Sequence, residues 1–284
     1  MRILNNNKGP AKSQVGRSTS HLVETLIGQP LLESVMLTSS RGLTATIAFV
    51  TLSLSAPAFA QEEEAGPVSV SANVTLASEY RFRGVDLSGG ELAIQGGFDI
   101  SHESGLYAGT WASNLDEDTV GFGSTELDLY AGWSGDITEG LSVDMGLIYY
   151  LYPDAGVGAG DTDYVELYSS LGFDLGPAEA TVGVAYAPSQ SSLGDTDNIY
   201  VYTDLGVGIP GTPVTVTGHL GYTDGFLTFT DDSKAFDWSI GAETTVYGPV
   251  SLGVAYVGVE GDALVDPGSV FTDDAFVVTL SASF

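Results

Sequence analysis

From residue 68 to the end the chain runs in short stretches in which every second residue is apolar. Val68, Val70, Ala72, Val74 and Leu76 share one parity, with Ser69, Ser71, Asn73 and Thr75 on the other. Leu127, Leu129, Ala131 and Trp133 oppose Glu126, Asp128, Tyr130 and Gly132 in the same way, as do Phe236, Trp238, Ile240 and Ala242 against Asp237, Ser239, Gly241 and Glu243. A period of two is the signature of a β-strand with unlike faces. Runs of this kind, divided by Gly, Pro, Asp and Ser, predict twelve strands: 68–82, 91–101, 105–113, 125–134, 140–152, 164–175, 178–187, 198–209, 213–223, 236–247, 249–260 and 275–284. No segment after residue 60 shows the helical period.

The connections alternate in length. HESG, DITE, GP, IPGTP and YGP are short, and each follows an even-numbered run. VDLSGG, NLDEDTVGFGS, PDAGVGAGDTD, QSSLGDTD, DGFLTFTDDSK and GDALVDPGSVFTD are longer, and each follows an odd one. A meander trimmed at one end and elaborated at the other has this form, and it requires an even number of strands.

Alternation alone does not say which face meets water. A soluble sandwich buries the apolar face. An outer-membrane barrel turns it to lipid and its polar face to the lumen. Runs of ~10–12 residues match a tilted bilayer span better than the ~5–6 usual in soluble sheets. Aromatic residues near run ends (Tyr80, Phe82, Trp133, Tyr149, Tyr186, Tyr222, Phe236 and Trp238) suggest interfacial girdles. The expected fold is therefore an all-β, transmembrane, antiparallel up-and-down barrel in a bacterial outer membrane. Its last strand, AFVVTLSASF, places Phe276, Val278, Leu280 and Phe284 on the lipid side. These four are read as a signal for the barrel assembly machinery. The other expected partners are outer-membrane lipid, lipopolysaccharide and small polar solutes.

Charge narrows the function classes. The chain has 8 Lys+Arg against 37 Asp+Glu and a formal net charge of −29. Arg81, Arg83 and Lys234 are the only basic residues after position 60. Nucleic acid is excluded as a partner, because phosphate binding needs clustered cations. With no cysteine there is neither a disulfide framework nor a thiolate metal site. Residues 36–60, MLTSSRGLTATIAFVTLSLSAPAFA, have an Arg-bearing start, an apolar middle and an A-x-A-like end, the layout of a secretory signal peptide. The expected organisation is an N-terminal extension (1–35) placed before the true start, a cleaved signal (36–60), a short periplasmic segment (61–67) and the barrel (68–284).

SEYRFRGVDLSGG (78–90) and LAIQGGFDISHESGLYAGTWASN (92–114) resemble the opening of the TorF family of putative porins, a proteobacterial outer-membrane group. The resemblance implies an outer-membrane location and a passive channel. It implies no substrate and no catalytic residues.

The candidate site comes from the polar parity. Glu79, Arg81 and Arg83, read as part of the first strand, would line the lumen near the loop-bearing end. Asp99, Glu126, Asp128, Asp144, Glu166, Asp174, Asp204, Asp237 and Glu243 would line it elsewhere, together with His219. A low-dielectric wall focuses their field and favours cations or neutral polar solutes. Tyr130, Tyr150, Tyr168, Tyr200 and Tyr202 share this parity, and the sequence leaves open whether they close the bore. His219 has no nucleophile motif beside it, so a structural role is expected over that of a barrel lipase. GDTDY (160–164), GDTDN (194–198) and DEDTVG (116–121) are weak as calcium loops; solvated loops are the better reading. Neither a cofactor nor a metal is expected. The remaining alternative is a non-conducting scaffold that displays acidic loops.

Overall fold

The computed structural model describes residues 66–156, 158–228, 230–262 and 272–284. The expected extension, signal peptide and most of the periplasmic segment lie outside these residues. Strands β1 (Val68–Ala77), β2 (Arg81–Phe82), β3 (Val85–Asp86), β4 (Ala93–His102), β5 (Leu106–Asn114), β6 (Thr125–Thr138), β7 (Leu141–Leu151) and β8 (Tyr164–Asp174) are followed by β9 (Ala178–Gln190), β10 (Thr196–Gly208), β11 (Val214–Gly225), β12 (Lys234–Tyr247), β13 (Val250–Glu260) and β14 (Ala275–Ser283). One helical turn, α1 (Glu117–Val120), follows β5.

Twelve of these strands close into an antiparallel barrel in sequence order, with β1 paired to both β4 and β14; β2 and β3 form a separate small hairpin. The barrel strands run from 9 to 14 residues, long enough to cross a bilayer at a tilt. Closure leaves no free edge, so every strand has backbone partners on both sides. At the seam Asn73 faces Ser283, Thr75 faces Ser281 and Ala77 faces Thr279. The Phe284 amide donates to the Ala72 carbonyl at 2.9 Å, and the Ala72 amide donates back at 3.1 Å. The last residue thus completes the seam ladder.

The outer wall is apolar. Val70, Ile94, Leu129, Leu147, Leu167, Val182, Leu220, Ile240 and Val254 are among its exposed residues, and Trp133, Tyr149, Tyr186 and Phe236 lie on the same face. Phe276 is 70% and Phe284 65% exposed, as a lipid-facing parity requires. No soluble fold leaves such a continuous apolar surface in water, whereas a hydrocarbon bilayer covers it. Two residues expected in the girdle are not there. Tyr80 is buried inside and Phe82 is half-buried, because β1 ends at Ala77 rather than at residue 82.

The interior is not uniformly wet. Ala77, Tyr80, Val85, Leu87, Ala93, Leu115, Ile148, Tyr150, Tyr152, Tyr164, Ala187, Leu193, Ala235 and Val259 pack into one cluster inside the loop-bearing end. Segment 78–92 carries three of them. Val120 and Phe122, beside α1, close over the cluster from the next loop.

Candidate functional site in the barrel bore

Segment 78–92 turns inward because its own residues build a turn. Asp86 Oδ1 accepts from the Ser88 amide at 2.8 Å and from its hydroxyl at 3.0 Å, while the Leu87 amide donates to the Tyr80 carbonyl at 2.8 Å. Phe82 pairs with Val85 across the two-residue loop Arg83–Gly84, whose φ angles are 49° and 81°. Positive φ at both central positions is the type I′ hairpin geometry, which ordinarily selects Asn-Gly. A Cβ on Gly84 would lie 2.8 Å from the Gly258 carbonyl oxygen and from Val259 Cβ, so the tip presses on β13.

This is a correction to the sequence reading of Glu79, Arg81 and Arg83. They lie inside the barrel but on a hairpin within the bore, not on the wall. A short hairpin alternates with the same period as a strand, so parity alone cannot tell them apart. Glu79 accepts from Arg81 Nε at 3.0 Å and Nη2 at 2.6 Å. Arg81 Nη1 reaches the Asp273 carbonyl at 2.7 Å. Arg83 reaches further: its Nη2 lies 2.8 Å from each carboxylate oxygen of Glu166 on β8, and its guanidinium carbon stands 4.2 Å from the centroid of Tyr200 on β10. Five strand steps separate β1 from β8 in one direction and from β10 in the other. The hairpin is therefore a crossbar joining opposite walls.

Around it sit carboxylates with fewer partners. Tyr80 donates to Glu126 Oε1 at 3.3 Å, whereas Glu126 Oε2 and both oxygens of Asp128 are buried without a hydrogen-bond partner. Tyr150 donates to Glu166 Oε2 at 3.3 Å and stacks on Tyr164 at 4.4 Å.

Toward the turn end the bore has a different texture. Tyr130 donates to Asp99 at 2.5 Å, and Tyr107 donates to Asp144 at 2.6 Å and shares a hydrogen bond with Tyr168. Five inward tyrosines lie across a glycine of the neighbouring strand: Tyr130 over Gly109, Tyr107 over Gly132, Tyr168 over Gly146, Tyr202 over Gly183 and Tyr200 over Gly221. An added Cβ at Gly109 would meet the Tyr130 ring at 2.5 Å. The glycines let the rings lie along the wall instead of projecting across the bore. Of Tyr130, Tyr150, Tyr168, Tyr200 and Tyr202, which share the polar parity in the sequence, Tyr150 alone belongs to the buried cluster.

His219 bridges two carboxylates. Its Nδ1 is 2.6 Å from Asp204 and its Nε2 is 2.8 Å from Asp237, and Tyr200 OH lies 2.8 Å from Nε2 and 3.0 Å from Asp237. With both ring nitrogens engaged by carboxylates, the histidine is not poised against a serine hydroxyl. Glu243 is half-buried on the same inner face, and Asp174 is exposed at the turn end, where it accepts from the Gly176 amide at 2.9 Å.

DEDTVG, read from the sequence as a poor calcium loop, is a capped helical turn. Asp116 is the N-cap of α1 and accepts from the Thr119 amide at 2.9 Å; Gly121 closes the turn with φ 77°. Among the described residues no cluster of three or more His, Asp or Glu is arranged to hold a metal ion. Sequence reasoning missed Asp86, Leu87, Gly84 and Tyr107 as parts of the bore. The available signal was Phe82-Arg83-Gly84-Val85, a two-residue turn between apolar residues, followed by Gly89-Gly90.

A closed twelve-strand barrel with an apolar outside and a polar, partly filled inside is an outer-membrane β-barrel of the porin type. Among solved structures it is similar to the NanC porin (10% identity, 76% of this chain and 99% of that one, TM-score 0.52). It is similar also to the KdgM porin (7% identity, 75% and 98%, TM-score 0.50). At such identities the likeness is one of fold. Residues 61–284 match the model of the Gcw_chp family, described as a bacterial protein of unknown function, and the chain belongs to that family. No curated protein matches it in sequence.

Proposed function

We propose that the protein is a passive, non-enzymatic channel of the TorF porin type, admitting small polar or cationic solutes through an acidic lumen. The observation that carries this reading is the charge balance inside the barrel. Glu79 is taken by Arg81, Glu166 by Arg83, and Asp204 with Asp237 by His219. That leaves Asp99 and Asp144 facing tyrosine hydroxyls rather than a cation, and Glu126 and Asp128 without one. A net negative wall in a low-dielectric sleeve attracts cations and repels anions. In planar bilayers under a salt gradient the reversal potential should indicate cation preference. Anion preference in the unmodified protein would refute the reading.

The second reading is a plugged scaffold, favoured by one specific observation: the hairpin and the cluster around it occupy the loop-bearing end of the bore. The same bilayers decide between the two, since a scaffold would pass no current.

A further inference from the structure

The surroundings of Arg83 have the chemistry of a cation receptor. Glu166 offers two carboxylate oxygens, each 2.8 Å from one nitrogen, and the rings of Tyr200 and Phe82 lie 4.2 Å and 4.8 Å from the guanidinium carbon. A carboxylate flanked by aromatic faces is how proteins recognise guanidinium and organic ammonium groups. The fit of the resident group is nevertheless incomplete. Arg83 Nη1 is buried without an acceptor, while Glu126 Oε2 and both oxygens of Asp128, in the same bore, are buried without donors. Asp128 lies within electrostatic reach of Glu126 and Glu166. The backbone points the same way: Arg83 holds φ 49° in a turn that Asn would take more easily. Such strain persists where the side chain does something at that position.

We propose that Glu166, Tyr200 and the unpartnered carboxylates of Glu126 and Asp128 form a binding site for a solute bearing a guanidinium or organic ammonium group, and that Arg83 is its tethered resident. An incoming cation displaces Arg83 from Glu166, which frees the hairpin from the far wall and opens the loop-bearing end. The opening step rests on the channel reading; the binding site does not.

The test uses protein extracted from the outer membrane in detergent, with Nα-acetyl-arginine amide as the probe and Nα-acetyl-citrulline amide as its uncharged counterpart. Calorimetry measures binding, and single-channel current in bilayers, which should rise when the probe is added to the unmodified protein, measures opening of the passage. Arg83→Gln should bind Nα-acetyl-arginine amide at least about tenfold more tightly than the unmodified protein, since a charge-assisted contact has been vacated. Adding Glu166→Gln should abolish that gain, and Nα-acetyl-citrulline amide should bind none of the variants. Arg83→Lys, which keeps the charge without the planar fork, should show a smaller gain and carries the test where Arg83→Gln fails to assemble. Equal binding by the unmodified and Arg83 variants, or a gain that survives Glu166→Gln, would overturn the site. A binding gain without current in any variant keeps the site and removes the channel. Currents without a binding gain do the reverse.

Discussion

Asp128 and Glu166 sit on adjacent parts of one inner surface, both nearly inaccessible, yet their chemical positions are opposite. Glu166 is ion-paired with Arg83, while neither oxygen of Asp128 has a partner. Removing one member of a buried pair strands the other, at a cost of about 3–5 kcal/mol. Removing a carboxylate that has no partner strands nothing. Glu166→Gln should therefore lower the midpoint of chemical unfolding clearly, and Asp128→Asn should leave it unchanged or raise it. Equal losses for both would mean that Arg83 gains little from Glu166. On the outer face, Leu129→Arg should cost ~2–4 kcal/mol near the midplane, read as a lower unfolding midpoint in lipid vesicles. Asp128→Arg is not a matching control for that change, since Asp128 is fully buried inside the barrel.

At the scale of elements, the bore depends on pairs of neighbouring strands, one supplying a tyrosine and the next a glycine. Gly109→Ala should push the Tyr130 ring off the wall between β5 and β6, reduce conductance and destabilise the barrel by about 1–3 kcal/mol. Combined with Tyr130→Ala, the same change should cost much less than the sum of the two single changes, which a double-mutant cycle would read directly. The loops make ties of another kind. Asp154 accepts from the Ser124 hydroxyl at 2.5 Å and from its amide at 3.2 Å, joining the loop after β7 to the one after β5. The Ser124 side-chain bond holds the Asp154 carboxyl below the ordinary carboxylate range. A group lowered in this way ties the loops fully above its unfolded pKa and releases them as pH falls through the folded value. Protease cleavage in 152–163 should accelerate on acidification, and Asp154→Asn should cleave quickly at every pH.

For the whole molecule, closure is the condition for everything else. The β1–β14 seam carries backbone pairs from Asn73–Ser283 to Ala77–Thr279, plus the Ala72–Phe284 bonds beyond them. Truncation after Thr279 would leave open edges that lipid cannot satisfy, so the heat-modifiable folded band on a denaturing gel should disappear. Phe284→Ser keeps the backbone pairs and removes a lipid-facing ring. If Phe276, Val278, Leu280 and Phe284 serve assembly, it should slow insertion in cells while leaving the unfolding midpoint of inserted protein nearly unchanged. The charge field also belongs to the molecule as a whole. Cation preference should weaken as salt rises, because charges in water are screened beyond ~10 Å at 0.1 M.

The alternation of Val68 to Leu76, of Leu127 to Trp133 and of Phe236 to Ala242 determined by itself the strands and which side chains point outward, and the alternating connection lengths determined their even number. A two-residue period has only two faces, and these residue types separate onto them. The wall positions of Asp99, Glu126, Asp128, Asp144, Glu166, Asp174, Asp204, His219, Asp237 and Glu243 follow from the same rule, with boundaries displaced by a few residues. Tertiary structure decided the rest. Parity placed Arg83 inside but could not distinguish a wall from a crossbar, because Tyr80, Arg81 and Phe82 continue the alternation of β1 up to the turn. Nor could it say that Arg83 would meet Glu166 and Tyr200, or that His219 would meet Asp204 and Asp237. Contacts across the bore and between strands depend on how the sheet closes, and residues 83 and 166 become neighbours only once the barrel has done so.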